Sequence, residues 1–166
     1  MTAAPPTAAL DLPELLLTLH RHAIDYTVIG GVAVQVHGHR RTTKDLDVVP
    51  APDGRNLQRL TDALAELEAR PRDISEGRAP TAEQLGTAAV VPPLTTRHGD
   101  LHIFRDVPGA PPYADLRARA LVVELEGISI AIAGLDDLIA MKRASGRPSD
   151  IRDIAALTRI GEPGEP

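Results

Sequence analysis

Leucines recur at helical spacing close to the start of the chain. Residues three and four apart share one side of a helix, and such a side would carry four leucines, Leu12, Leu15, Leu16 and Leu19. Asp11 precedes them as an N-cap, with Pro13 and Glu14 in the first turn. The pattern predicts a first helix that ends near His22.

A β-rich segment then leads into a pair of glycines. Residues 26–29, YTVI, have the composition of a strand, and Gly30 and Gly31 end it. Residues 32–36 would begin a short helix that Gly38 breaks. The predicted unit is a strand, a glycine turn and a short helix.

A second strand is predicted at residues 45–49, where two nearby prolines close it. Leucines return to helical spacing between residues 53 and 70, and Pro71 lies just beyond. Residues 72–86 are predicted as a loop or an irregular turn.

Further strands are predicted at residues 87–91 and 100–104, with a turn at His98 and Gly99 between them. Residues 121–132 are predicted to form a hairpin around Gly127.

Two closing helices are predicted at residues 135–144 and 149–158. Gly146 would cap the end of the first helix, and Ser149 would cap the start of the second. The order of elements predicts an α+β domain with a mixed sheet flanked by helices.

One domain is predicted over residues 11–160. Residues 1–10 are Ala- and Pro-rich and are interpreted as a disordered lead, and residues 161–166 as a frayed tail. A chain of 166 residues falls in the usual range for one domain with its own core.

Composition narrows the classes of function. The absence of cysteine excludes disulfides, thiolate metal sites and a cysteine nucleophile, and it favours a cytoplasmic protein. A net charge of −5 argues against non-specific binding to phosphate backbones, which depends on clustered Lys and Arg. Aromatic residues make up 2% of the chain, so stacking platforms for single-stranded bases are not expected. No window predicts a signal peptide or a membrane span.

The candidate chemistry centres on Asp45 and Asp47. Side chains alternate across a strand, so these two carboxylates project from the same face, roughly 6 to 7 Å apart at their bases. Mg²⁺ is commonly held by one or two carboxylates together with substrate phosphates. An isolated Asp-x-Asp more often caps a turn or is solvated. The nearby Gly30 and Gly31 favour function, because glycines permit close backbone approach to a phosphate.

Residues between the glycines and the carboxylates suit a phosphate ligand. Arg40, Arg41 and Thr43 precede the second strand, and Arg makes forked contacts with phosphate. Solvated loop residues are the competing interpretation. His37 and His39 are more typical of packing or capping than of catalysis.

Two longer stretches resemble a known superfamily. IGGVA at residues 29–33 and HGHRRTTKDLD at 37–47 are similar to the signature of the DNA polymerase beta nucleotidyltransferases. LDDLIAMKRA at 135–144 and RPSDIRD at 147–153 resemble that superfamily's closing helices. The chain most resembles the minimal nucleotidyltransferases of bacterial toxin–antitoxin and abortive-infection systems.

The resemblance implies a nucleotidyltransferase fold and further site residues. It implies that Lys142 contacts nucleotide phosphates and that Asp150 and Asp153 organise the junction of the closing helices. A solvated lysine on an amphipathic helix is the alternative for Lys142.

The chain departs from the superfamily at the third carboxylate. In GDLHIFR, residues 99–105, the position of that acid falls on His102. Three outcomes follow. Asp100 reaches the site after a shift of register, His102 itself acts as base or ligand, or the fold survives while catalysis is weak or lost.

The sequence therefore predicts a metal-dependent nucleotidyltransferase. Mg²⁺ or Mn²⁺ at Asp45 and Asp47 would bind a nucleoside triphosphate, and Asp100 or His102 would help to activate an acceptor hydroxyl. The expected acceptor is tRNA or another RNA, a protein or a small molecule. The expected biological role is that of a toxin with a cognate antitoxin. The alternative is a catalytically degenerate binding protein of the same fold.

Overall fold

The computed structural model describes residues 7–74 and 76–164, so the first six residues of the predicted lead and the last two of the predicted tail lie outside the described residues. Within the described part, the chain forms seven helices and seven strands: α1 Leu12–Arg21, β1 Tyr26–Ile29, α2 Gly30–Val36, β2 Asp45–Pro50, α3 Gly54–Glu66, β3 Arg70–Pro71, α4 Ala82–Thr87, β4 Leu94–Thr96, β5 Gly99–Ile103, α5 Tyr113–Ala118, β6 Leu121–Leu125, β7 Ile128–Ile132, α6 Leu135–Ser145 and α7 Pro148–Gly161.

The strands form one mixed sheet in the order β3-β4-β5-β2-β1-β7-β6. The pairs β1–β7 and β2–β5 are parallel, and the other neighbours are antiparallel. This confirms the predicted α+β class with a mixed sheet.

Alternation along the central strands separates the core from the candidate chemistry. On β2, Leu46 and Val48 are buried, whereas the side chains of Asp45 and Asp47 lie on the opposite face and are partly exposed. The buried face packs with helix leucines, of which Leu15, Leu60 and Leu64 are almost fully excluded from solvent. Hydrophobic burial therefore orients the two aspartates away from the core.

The first half of the chain follows the predicted elements closely. Asp11 caps α1, since its Oδ1 accepts a hydrogen bond from the Glu14 amide at 3.3 Å. The helix α3 ends at Glu66, four residues before the predicted end, and Glu68 beyond it has a positive φ of 54°.

The predictions for residues 72–91 were wrong in two places. A helix, α4, begins inside the predicted loop, because Thr81 and Gln84 form a capping box. That helix ends at Thr87, so the strand predicted at 87–91 is absent from this described segment, and the strand of this region is β4, after Pro93.

The closing helices also differ in detail. Gly146 caps α6 in the left-handed conformation, as predicted, with a φ of 64°. Arg147, not Ser149, is the N-cap of α7, because Pro148 suits the first helical turn. The Asp150 carboxylate accepts a hydrogen bond from the Arg147 amide at 3.1 Å. The helix α5 was not predicted.

Candidate active site

Strand register brings the candidate catalytic residues onto one face of the sheet. The parallel pair β2–β5 places Asp45 beside Asp100 and Asp47 beside His102. The antiparallel pair β1–β2 places Asp47 beside Ile29, the residue just before the glycine pair. The sheet therefore assembles the Asp pair, the glycine turn and the β5 residues at one place.

Asp45, Asp47 and His102 form a cluster suited to a cation. One ligand atom from each residue can be chosen so that all three lie within 4.8 Å of one another. His102 Nδ1 lies 3.0 Å from Asp47 Oδ1, and His102 Nε2 lies 3.9 Å from Asp45 Oδ2.

The Asp47 carboxylate supports the assignment of a cation site. Its Oδ1 is buried, and among the described residues its close polar neighbour is His102 Nδ1 at 3.0 Å. A buried carboxylate is costly unless a positive charge or a hydrogen-bond donor is nearby, and a divalent ion would meet that need for both aspartates. Two carboxylates and an imidazole suit a divalent ion such as Mg²⁺ or Mn²⁺.

Electrostatics in the cluster act in opposite directions. Burial, and then repulsion from Asp47, raises the pKa of Asp45 above its ordinary value. Contact with Asp47 raises the pKa of His102, while burial and the Arg72 guanidinium oppose that shift. The aspartates thus carry excess negative charge that a bound cation would neutralise.

Asp100 is in register with Asp45, but its carboxylate is paired with residues outside the cluster. Its Oδ1 accepts a hydrogen bond from Thr95 Oγ1 at 3.0 Å, and its Oδ2 pairs with an Arg72 nitrogen at 2.8 Å. The same Arg72 nitrogen lies 2.7 Å from His102 Nε2. No sequence pattern indicated Arg72, which lies just after the two-residue strand β3.

The glycine pair makes room for the acidic strand. A Cβ on Gly30 would lie 2.0 Å from Asp47 Oδ2, and the φ of 68° at Gly30 is strained for other residues. A Cβ on Gly31 would lie 2.7 Å from Thr43 Oγ1. Thr43 in turn donates a hydrogen bond to the Asp45 carbonyl at 3.1 Å.

Lys142 and Arg41, which are predicted to bind the nucleotide, form ion pairs with buried aspartates. Lys142 Nζ contacts Asp150 Oδ1 at 2.9 Å and Asp153 Oδ2 at 2.8 Å, and its side chain is 7% exposed. Arg41 also pairs with Asp153. These contacts connect the loop before β2 to both closing helices.

The remaining predicted candidates lie away from the cluster. Arg40 is exposed, His39 Nε2 lies 3.8 Å from Asp153 Oδ1, and His37 Nε2 lies 2.8 Å from the Ala133 carbonyl. The contact of His37 is typical of a packing histidine.

A cavity of about 370 Å³ opens beside the cluster. Gly30 and Asp47 form its sheet side, and Lys142 and Arg147 lie on its helical side. Its apolar wall includes Phe104, Val107, Pro108, Leu138 and Met141. Its volume falls in the range of small-molecule sites.

The fold is that of the nucleotidyltransferases. An antigenic nucleotidyltransferase-like protein from Paracoccidioides brasiliensis is 22% identical, with a TM-score of 0.58 over 96% of this chain and 82% of that protein. The antibiotic-resistance factor ANT(2'')-Ia, in a solution structure, is 14% identical, with a TM-score of 0.56 over 90% of this chain and 82% of that one. The crystal structure of ANT(2'')-Ia with adenylyl-2''-tobramycin is 13% identical, with a TM-score of 0.56 over 90% and 87%.

The family follows from the sequence over nearly its full length. Residues 9–162 match the family described as nucleotidyltransferases of unknown function, DUF6036, and the chain belongs to that family. The protein is accordingly a nucleotidyltransferase, as predicted. No protein of curated function matches the chain. Among the described residues, no helix is both long and apolar enough to cross a bilayer.

Proposed function

We propose that this protein moves a nucleoside monophosphate from a nucleoside triphosphate to an acceptor hydroxyl, with a divalent ion held by Asp45 and Asp47. The observation that carries the proposal is the cluster of Asp45, Asp47 and His102, whose ligand atoms lie within 4.8 Å of one another beside a cavity of about 370 Å³. In the reaction, the acceptor hydroxyl loses its proton to a base of the site or to water, its oxygen forms a bond to the α-phosphorus, and the bond to pyrophosphate breaks.

The chain's own residues divide the work in this proposal. Asp45 and Asp47 hold Mg²⁺ or Mn²⁺, which when bound neutralises phosphate charge and favours attack on phosphorus. Lys142 lines the same cavity as Asp47, and this position supports a role for Lys142 in binding the triphosphate. The proposal includes nucleotide contacts by four further residues, Gly30, Gly31, Arg41 and Thr43.

The acceptor proposed first is a small molecule that carries a hydroxyl group. The ANT(2'')-Ia complex contains an adenylylated aminoglycoside, which supports this class by analogy of fold. The net charge of −5 disfavours an extended RNA partner. The other form of the proposal is transfer to tRNA or to a protein. In that form the protein is a cytoplasmic toxin with a cognate antitoxin.

A transfer assay tests the proposal. The full-length protein would be incubated with each of the four α-labelled NTPs, with Mg²⁺ or Mn²⁺, and with pools of RNA, protein or hydroxylated small molecules. The expected result is a labelled product and pyrophosphate with the wild type and neither with Asp45→Ala/Asp47→Ala. An exposed-site control, Asp62→Ala on α3, is expected to retain activity. Label released as free monophosphate in every pool would contradict transfer.

The degenerate binding protein is a second candidate. The pairing of Asp100 with Arg72 favours it, because that carboxylate is not free to replace the missing third acid. Metal-dependent NTP binding without turnover in the same assay would support this candidate over the enzyme.

A further inference from the structure

The side chain of Arg72 extends over the sheet to the β5 side of the cluster formed by Asp45, Asp47 and His102. Its amide donates to the Pro93 carbonyl at 2.9 Å, which fixes the backbone at the edge of the sheet next to β4. From there, one guanidinium nitrogen lies 2.8 Å from Asp100 Oδ2 and 2.7 Å from His102 Nε2. The arginine thus spans both β5 residues that share a face with the Asp pair.

A permanent positive charge therefore occupies the β5 side of the site. Arginine stays protonated at every ordinary pH. Metal sites that clamp the attacking and the leaving oxygen hold two divalent ions about 3.5 to 4 Å apart. In this chain the third acid is replaced by His102, and Arg72 neutralises Asp100. Among the described residues no Lys or Arg pairs with Asp45 or Asp47, which contact His102, and their two negative charges match one divalent ion.

We propose that Arg72 is a built-in cation in the place of a second metal ion, so that the site takes a single divalent ion at Asp45 and Asp47. The inference rests on the proposed metal-dependent function and specifies its metal stoichiometry. Arg72 also positions His102, because its N–H group is directed at Nε2 and leaves the other ring nitrogen beside Asp47.

The charge argument gives a direction for each variant. Arg72→Gln removes a positive charge near the ion and releases Asp100, so Mn²⁺ should bind at least about tenfold more tightly. Arg72→Lys keeps the charge and should stay within a few-fold of the wild type. Arg55→Gln is the matched control, since Arg55 is exposed on α3, which starts beyond the far end of β2.

The test measures the binding of Mn²⁺ alone to the full-length protein. Titration calorimetry and the electron paramagnetic resonance signal of free Mn²⁺ report the number of ions bound and their affinity. The wild type should bind one equivalent, and Asp45→Ala/Asp47→Ala should bind none at this site. Arg72→Gln combined with His102→Asp should bind two equivalents, because it restores a third carboxylate and removes the fixed cation. Thermal unfolding of each variant shows that the compared proteins are folded.

Two results would overturn the inference. One is a wild type that binds two Mn²⁺ ions, both lost in the Asp45→Ala/Asp47→Ala variant. The other is weaker Mn²⁺ binding by a folded Arg72→Gln variant. Either result leaves nucleotidyl transfer itself untouched, whereas a wild type that transfers label with no metal present would contradict the metal part of the proposed function.

Discussion

The absent side chain of Gly30 leaves the space that the Asp47 carboxylate fills. A methyl group on Gly30 would lie 2.0 Å from Asp47 Oδ2, far inside van der Waals contact. Gly30 begins α2 directly after Ile29, which pairs with Asp47 across β1 and β2, so the two residues cannot move apart without loss of ladder hydrogen bonds. The glycine is therefore a condition for the position of the acid.

We expect Gly30→Ala to damage the cation site and the fold together. The clash and the positive φ of 68° should lower the free energy of unfolding by about 1–3 kcal/mol. Mn²⁺ affinity should fall at least about tenfold because Asp47 must move. Calorimetry and urea unfolding measure the two effects. Gly54→Ala is the control, since a Cβ there meets nothing within 4 Å; wild-type Mn²⁺ affinity in Gly30→Ala would contradict the argument.

Lys142→Met should destabilise the closing helices. It leaves Asp150 and Asp153 buried without their shared partner, and breaking a buried ion pair costs about 3–5 kcal/mol. Arg143→Met on the same helix is exposed and should cost less than about 0.5 kcal/mol. Chemical unfolding compares the two variants. Unchanged stability with lost NTP affinity would instead assign Lys142 to the nucleotide alone.

Acid should weaken the junction between α6 and α7. Burial would raise the pKa of Asp150, but hydrogen bonds from Lys142, Ser145 and Arg147 outweigh it and lower the pKa to about 2. An unfolded aspartate titrates near pH 4, so the stabilisation is complete above about pH 4. It is lost as the pH falls towards about 2, and it amounts to about 2 kcal/mol.

Unfolding of wild type and Asp150→Asn at several pH values checks this prediction. The difference in their free energies of unfolding should be constant near neutral pH and should shrink by about 2 kcal/mol between about pH 4 and pH 2. A difference that stays constant over this window would show that Asp150 is not the titrating group.

Asp45→Asn should give a more stable but inactive protein. Burial and repulsion from Asp47 disfavour the charged form of Asp45, so removal of its charge should raise the free energy of unfolding at neutral pH. Thermal unfolding without added metal measures this gain. Asp62→Asn, exposed on α3, should change stability by less than about 0.5 kcal/mol. A less stable Asp45→Asn protein would show that the carboxylate has a structural role.

Local sequence patterns were sufficient to predict those elements whose start or end depends on nearby residues. The Asp11 cap, the strand before Gly30 and the turn at Gly127 all depend on residues close together in the sequence, and the structure has all of them. The resemblance, and not a local pattern, indicated that His102 takes the position of a third acid, and in the structure His102 is in register with Asp47.

Other features depend on contacts between distant residues. The β-rich composition of residues 87–91 favoured a strand, but the Thr81 capping box upstream starts a helix that uses Thr87. Arg72 lies 30 residues from His102, and their contact follows from the order β3-β4-β5, which local periodicity does not contain. Local sequence patterns therefore did not indicate Arg72, whereas Asp45 and Asp47 lie close together within one predicted strand.

The pairing of Arg41 with Asp153 joins residues 112 positions apart. During synthesis, the loop before the Asp pair emerges from the ribosome long before its partner on α7 exists. The loop can form this contact only after α6 and the first turns of α7 have been made. Chains that end before α7 would therefore lack this contact to the loop that leads into the Asp pair.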